Sequence, residues 1–150
     1  MEYSYEIRVM NAGDVPAVAG IEAECFTNPW SENAFSEELR NPLAHTLVAV
    51  AEGAAVAFVN ARVILDEVYI NNVAVTVAHR GKGIGEALLI AFERSLPEQA
   101  QFITLEVRAG NTAAFRLYRK LKYVQVGIRR NFYTDPPEDA LLMTKYTKND

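Results

Sequence analysis

The chain has 150 residues, half of them hydrophobic and 23% charged, with a formal net charge of -4 at pH 7. This is the composition of an ordinary globular unit: one domain over residues 1–150 is the expectation, and disorder and low-complexity character are excluded. One cysteine (Cys25) and two histidines (His45, His79) rule out a disulfide framework, and a zinc or iron-sulfur site built from this chain alone, so no metal is expected. No apolar run approaches the roughly 18 residues of a membrane span, and the N-terminus lacks a basic stretch followed by an apolar one. A soluble, cytoplasmic protein with no membrane partner is therefore expected.

The net charge conceals an asymmetry. Residues 1–75 carry three bases against eleven acids, whereas residues 76–150 carry twelve bases against eight acids. Between positions 107 and 134 there is no acid, but there are Arg108, Arg116, Arg119, Lys120, Lys122, Arg129 and Arg130. Such a stretch suits a polyanionic ligand, either a nucleotide-type cofactor or nucleic acid, or is simply a solvated basic face.

In chain order, residues 4–10 alternate apolar and polar, as a half-buried strand does. Asp14 reads as an N-cap, and Val15, Val18, Ile21 and Cys25 follow at helical spacing, with Pro16 tolerated in the first turn. Asn28-Pro29-Trp30-Ser31 breaks that helix, and Ser31 with Glu32 opens a second one that Asn41-Pro42 stops. Residues 45–52 and 54–65, around Gly53, read as a hairpin. In residues 67–77 the aliphatic positions are even at first (Val68, Ile70) and odd later (Val73, Val75, Val77). That one-residue slip near Asn71-Asn72 is the trace a β-bulge leaves in a period-two pattern. Residues 84–96 are helical up to Pro97, 102–108 alternate as a strand, and 112–121 carry the helical stripe Ala113, Ala114, Leu117, Tyr118, Leu121. Two last strands, 123–133 and 140–146, flank Asp135-Pro136-Pro137-Glu138. The order of elements implies a mixed α/β sheet with helices packed on it, because hairpins make antiparallel pairs and helical crossovers parallel ones.

Arg80-Gly81-Lys82-Gly83-Ile84-Gly85 lies between strand and helix, where glycines admit a ligand close to the backbone and the first-turn N–H groups face an anion. This is the chemistry of a pyrophosphate cradle. It is not a Walker loop, which needs Gly-Lys followed by Ser or Thr, whereas Gly85 is followed by Glu86-Ala87. Nor does it fit the dinucleotide fingerprint Gly-x-Gly-x-x-Gly: the third glycine would fall on Glu86 or Leu88.

This loop matches the Arg/Gln-x-x-Gly-x-Gly/Ala motif of the GNAT superfamily of N-acetyltransferases, and the chain resembles that superfamily along nearly its whole length. Asn28-Pro29-Trp30-Ser31-Glu32, Asn72-Val73-Ala74-Val75, Leu105-Glu106-Val107-Arg108-Ala109-Gly110-Asn111 and Arg129-Arg130-Asn131-Phe132-Tyr133 resemble the RimI-type members, which acetylate the N-terminal alanine of a small-subunit ribosomal protein. The resemblance implies a mostly antiparallel, seven-stranded sheet with a bulged, splayed central strand and about four helices. It implies acetyl-CoA as cosubstrate, with the backbone of Val73, Ala74 and Val75 along the pantetheine arm. Arg80, Gly81, Lys82, Gly83, Ile84 and Gly85 would hold the pyrophosphate, and Asn111 would touch the cofactor from the start of the next helix.

By the same resemblance Glu106 is the general base and Tyr118 the general acid. Trp30 is a candidate for the acceptor site on a separate ground, because an acidic N-terminal half around its loop and Asp66-Glu67 favours a cationic peptide N-terminus, and Tyr133 is the second candidate. An α-amine with a reference pKa near 8 is mostly protonated at pH 7, so a carboxylate must take its proton before nitrogen attacks the thioester. Burial beside the cofactor is expected to raise the pKa of Glu106 toward the working range. A phenol near 10 can donate to the leaving thiolate, and backbone N–H groups of the bulge would face the developing oxyanion. Tyr133 either shapes the peptide site or packs, and Cys25 is expected to be buried and inert. The resemblance implies a ribosomal-protein N-terminus as partner, with no direct nucleic-acid binding and a monomer or weak dimer. Acetylation of a small-molecule amine and a non-catalytic acetyl-CoA-binding or nucleotide-binding module are the competing readings.

Two departures stand out. Leu121-Lys122-Tyr123 replaces the usual Leu-Gly-Phe, which removes a glycine C-cap. Gly110 replaces the usual serine, and a looser Asn111 is the expected consequence.

Overall fold

The computed structural model describes residues 4–147. Strands β1 (Glu6–Val9), β2 (Ala44–Ala51), β3 (Ala54–Ile64), β4 (Glu67–Val75), β5 (Phe102–Arg108), β6 (Val124–Thr134) and β7 (Pro137–Tyr146) form a single sheet in the order β1-β2-β3-β4-β5-β7-β6. Helices α1 (Val15–Cys25) and α2 (Glu32–Glu38) follow β1, α3 (Ile84–Arg94) connects β4 to β5, and α4 (Thr112–Lys120) connects β5 to β6. Every neighbouring pair of strands is antiparallel except β4 with β5. That exception is the pair joined by a helical crossover, as chain connectivity requires.

The central strands are apolar on both faces because helices cover both. Val48 and Phe58 pack with Val18, Ile21 and Phe35 of α1 and α2. Their neighbours Leu47, Ala49, Ala57 and Val59 join Ile84, Leu88 and Phe92 of α3 on the opposite side. Period-two alternation thus sorts one hairpin into two cores, and each large side chain so buried contributes roughly 1.5–3 kcal/mol. The hairpin turn consists of Glu52 (φ 52) and Gly53 (φ 83), two left-handed residues whose twist matches that of the strands they join.

The slip in β4 is a bulge. Asn60 of β3 pairs with Asn72 while Ala61 pairs with Ile70, so Asn71 is the extra residue. Its side-chain amide donates to Asn60 Oδ1 at 2.9 Å, and fully buried Asn60 in turn donates to Thr46 Oγ1 at 2.8 Å. A satisfied buried polar pair of this kind fixes the bulge in place, since neither amide can be left unpaired without cost.

Strand β4 pairs with β5 only at Glu67, Val68 and Tyr69. From Ile70 onward the two strands diverge, and β4 has a ladder partner on its β3 side alone. Thr76 N–H bonds Val56 O, and antiparallel ladders alternate. Val75 and Val73 therefore present their backbone groups to the open edge, while those of Ala74 turn to β3.

Several boundaries differ from the sequence pattern for local reasons. Val77 leaves the strand and starts a 3-10 turn ending at His79. Helix α3 ends at Arg94, α2 at Glu38 and α4 at Lys120. Strand β7 begins at Pro137 rather than at 140, because a proline is tolerated as the first residue of a strand. Asp14 stands at the N-cap of α1 without capping it. Its carboxylate instead binds Arg8 at 2.7 and 2.9 Å and accepts the Asn11 N–H. The missing glycine after α4 leaves its end intact. Lys122 takes the left-handed conformation itself (φ 79), and Tyr123 N–H bonds Tyr118 O while Lys122 N–H bonds Arg119 O. That is a Schellman end, built at the steric cost of a Cβ.

Candidate active site

The parting of β4 from β5 opens a cleft of about 510 Å³. Ile70, Asn71, Asn72 and Val73 line one side and Leu105, Glu106, Val107 and Arg108 the other, with Trp30, Asn111, Tyr118 and Tyr133 on the walls. Six of the residues picked out in the sequence thus meet at one cavity. Ala74 does not, since its side chain is buried in the α1–α2 core, and neither Val75 nor the 80–85 loop lines this cavity.

Glu106 and Arg108 share a face of β5 because strand side chains alternate. The Glu106 side chain is only 5% exposed, so it is not on a solvated polar face. Its Oε1 lies 3.2 Å from Arg129 Nε of β6, and its Oε2 accepts the hydroxyl of Tyr69 from β4. Three strands therefore hold one carboxylate, leaving one lone pair on each oxygen for an incoming donor. Burial, with the Glu106 charge beside it, pushes the Tyr69 phenol well above its usual value of 10.

Tyr118 projects from α4 and is 8% exposed. Its ring meets Tyr123 edge-on at 5.6 Å, and Tyr123 is anchored through its hydroxyl to Glu93, which Lys145 neutralises at 2.5 Å. Burial drives the Tyr118 phenol far above its ordinary 10. Tyr118 consequently keeps its proton throughout the neutral range, which leaves its hydroxyl able to donate a hydrogen bond.

The glycine loop supplies backbone geometry. Gly81 (φ 78) and Gly83 (φ 79) are left-handed, a conformation that costs any residue with a Cβ roughly 1–2 kcal/mol. Gly83 is also the N-cap of α3, and no side chain caps the N–H groups of the first turn. Without a side-chain cap they are available to an anion. Arg80 folds back instead of reaching outward: its Nε donates to Val75 O at 3.0 Å and its Nη2 to Cys25 Sγ at 3.1 Å. Cys25 is half-buried, and burial raises its thiol, so it is not an activated nucleophile.

The far wall is held by side chains. Glu22 of α1, 2% exposed, accepts from Trp30 N at 3.0 Å and from Asn72 Nδ2 at 2.9 Å, tying the loop after α1 to the bulged strand. Burial raises its carboxyl above the usual range against the lowering effect of these bonds. Trp30 then stacks on Phe35 at 5.3 Å, which meets Phe58 at 5.5 Å. Asn111 caps α4, accepting from Ala114 N at 3.2 Å. It is not loosened by Gly110, whose own N–H bonds Glu138 Oε2 at 2.5 Å. Much of the basic stretch is neutralised from outside it: Arg108 by Glu138, Lys120 by Glu86, Arg129 by Glu106 and Arg130 by Asp139.

Sequence reasoning missed Glu22, Tyr69 and Arg129 as parts of this site. No local motif marks Glu22 or Tyr69, and the segment that contains Arg129 does not reveal its contact with Glu106, because their partners lie on other elements.

Comparison with known proteins adds four findings. Residues 15–123 match the model of the acetyltransferase (GNAT) family. The chain is 38% identical over 145 residues to a Bacillus subtilis (strain 168) protein provisionally named ribosomal protein bS18-alanine N-acetyltransferase, covering 95% of this chain and 96% of that one. It is 35% identical to the Escherichia coli (strain K12) ribosomal protein bS18-alanine N-acetyltransferase, covering 91% and 94%. The crystal structure of the ribosomal-protein-S18-alanine N-acetyltransferase from Escherichia coli superposes with a TM-score of 0.86 at 32% identity, over 98% of this chain and 96% of that one. Among the described residues no helix is long and apolar enough to cross a membrane, and no cluster of metal-ligating side chains is present.

Proposed function

The chain belongs to the GNAT acetyltransferase family, and from that premise we propose that it is an N-alpha-acetyltransferase that moves an acetyl group from acetyl-CoA to the N-terminal alanine amine of a ribosomal protein. The observation that carries this reading is the meeting of a buried carboxylate, Glu106, and a buried phenol, Tyr118, at a cleft edged by unpaired backbone. Acyl transfer from a thioester to an amine needs a base, a donor to the leaving sulfur and N–H groups for the oxyanion.

The chain suits an extended, anionic cosubstrate. The open edge of β4 offers the backbone of Val73 and Val75 to a pantetheine arm; Val75 O is already engaged by Arg80. The glycines at 81 and 83 bring the α3 N-terminus to the pyrophosphate. Lys82, Ile84 and Gly85 complete that turn, and Asn111, whose amide nitrogen is not used in capping, lines the neighbouring cleft.

Glu106 takes the proton of the incoming α-ammonium through the lone pairs left by Arg129 and Tyr69. Backbone N–H groups on the open edge of β4 stabilise negative charge on the thioester oxygen. Tyr118 donates to the departing sulfur. With its phenol held so far above a thiol near 8.5, the donated hydrogen bond matters more than full proton transfer. The acceptor enters on the acidic side, past Trp30, with Glu22 and Glu138 among the residues it meets.

Incubation with acetyl-CoA and a panel of N-terminal peptides, read by mass spectrometry, tests this. One acetyl group on the α-amine of alanine-initial peptides is expected. Absence of modification on every peptide overturns the proposal, and faster transfer to polyamines than to any peptide replaces it with a small-molecule acetyltransferase.

A further inference from the structure

Strand β5 is shorter than the strands it supports. Arg108 pairs with Ala140, and Ala109 N–H to Asp139 O at 3.0 Å is the last backbone bond between β5 and β7 among the described residues. The tip of the β6–β7 hairpin, residues 133–138, therefore runs past the end of its neighbour. It still lines the cleft, through Tyr133, Pro136 and Glu138.

A single cation ties this overhang down. Arg108 Nη1 donates to Pro136 O at 3.0 Å and contacts Glu138 Oε1 at 3.1 Å, Nη2 reaches Asp135 O at 3.5 Å, and the guanidinium lies 4.3 Å from the centre of the Tyr133 ring. The second oxygen of Glu138 accepts the Gly110 N–H. A planar guanidinium can make all of these contacts at once; a lysine cannot. The departure from serine at position 110 fits the same arrangement, since a Cβ there would stand 2.7 Å from Glu138 Oε2.

We propose that Arg108 is a positioning residue whose latch on Glu138 and Tyr133 fixes the overhanging hairpin, and that this sets how large a first side chain the acceptor can bring to Glu106. Because Glu106 and Arg108 are two residues apart on one strand, base and wall are carried by the same rigid element, and the gap between them does not adapt to the substrate. The inference rests on the acetyltransferase reading and deepens it.

The test compares the intact protein with Arg108→Met and, from the other side of the same carboxylate, Gly110→Ala. In Arg108→Met the preference for alanine-initial over leucine-initial peptides is expected to fall roughly tenfold in kcat/KM, with KM for acetyl-CoA changed by less than about twofold. Gly110→Ala shifts the preference in the same direction by less. Amide hydrogen exchange in residues 130–139 rises in both, while the rest of β5 and β7 stays protected. Unchanged preference in Arg108→Met overturns the proposal, as does exchange that rises evenly over β5 and β7, which would mean general destabilisation. If the wild-type protein acetylates no peptide, the functional reading fails, whereas exchange in the hairpin still decides whether the latch exists.

Discussion

The two sides of the cleft are made of different material. One side is backbone: a bulge at Asn71 and an edge of β4 with no partner, continued beyond the cavity by two left-handed glycines and an uncapped helix start. The other is side chains brought from four or more elements, with Glu22 on Trp30 and Asn72, Tyr69 and Arg129 on Glu106, and Arg108 on Glu138 and Tyr133. A backbone surface accepts any ligand with the right repeat of acceptors and an anion at the end, whereas a side-chain surface sets chemistry and choice of acceptor. On this account the first side holds the cosubstrate and the second selects and deprotonates the amine.

The sharpest way to separate the two is Tyr118→Phe, which removes a donor from the reacting end without touching the backbone side. Turnover should fall on the order of a hundredfold, with acetyl-CoA affinity unchanged in a binding titration. The converse variant is Gly83→Val, which forces a β-branched residue into a left-handed N-cap. Acetyl-CoA affinity should drop roughly tenfold, because about 1–2 kcal/mol of backbone strain is either borne or relieved by leaving the bound geometry. KM for the peptide should not move. If both variants damage both affinities alike, the division of labour is wrong.

Alkaline pH bears chiefly on the buried phenols. The phenols of Tyr69, Tyr118 and Tyr123 are all raised by burial, and that of Tyr133 is pushed up to about 12. Since the unfolded phenols ionise near 10 and the folded ones later, the stability they confer is complete below pH 10 and is lost as pH climbs through the folded values. Urea midpoints should therefore decline steadily above pH 10, accompanied by delayed tyrosinate absorbance. The smallest effect lies outside both surfaces: Lys122→Gly, relieving a left-handed lysine at the end of α4, should raise stability by about 1 kcal/mol and leave both kinetic constants alone.

The same contrast explains what could be read before the fold was known. The bulge showed as a phase slip because a strand's pattern has period two, and the glycine loop showed because left-handed backbone selects glycine. Ser31, which caps α2 by accepting from Ala34 N at 3.1 Å, is also a local signal. Each of these is written within a few neighbouring residues. Tyr69 and Glu106 are 37 positions apart and Glu22 and Asn72 are 50 apart, so nothing in either segment announces the other. Asp14 and Lys122 show the opposite limit. The first has the right residue for a cap but is claimed by Arg8, and the second has the wrong residue but is held left-handed by the hydrogen bonds of Lys122 and Tyr123.

The most direct test of the division is Glu106→Gln, which keeps the shape and the Tyr69 contact while removing the base. Measured side by side, acetyl-CoA affinity should stay within about twofold of wild type while turnover on an alanine-initial peptide falls at least a hundredfold, in the range expected for loss of a general base. Turnover that survives the substitution, or acetyl-CoA binding that is lost with it, would contradict the account.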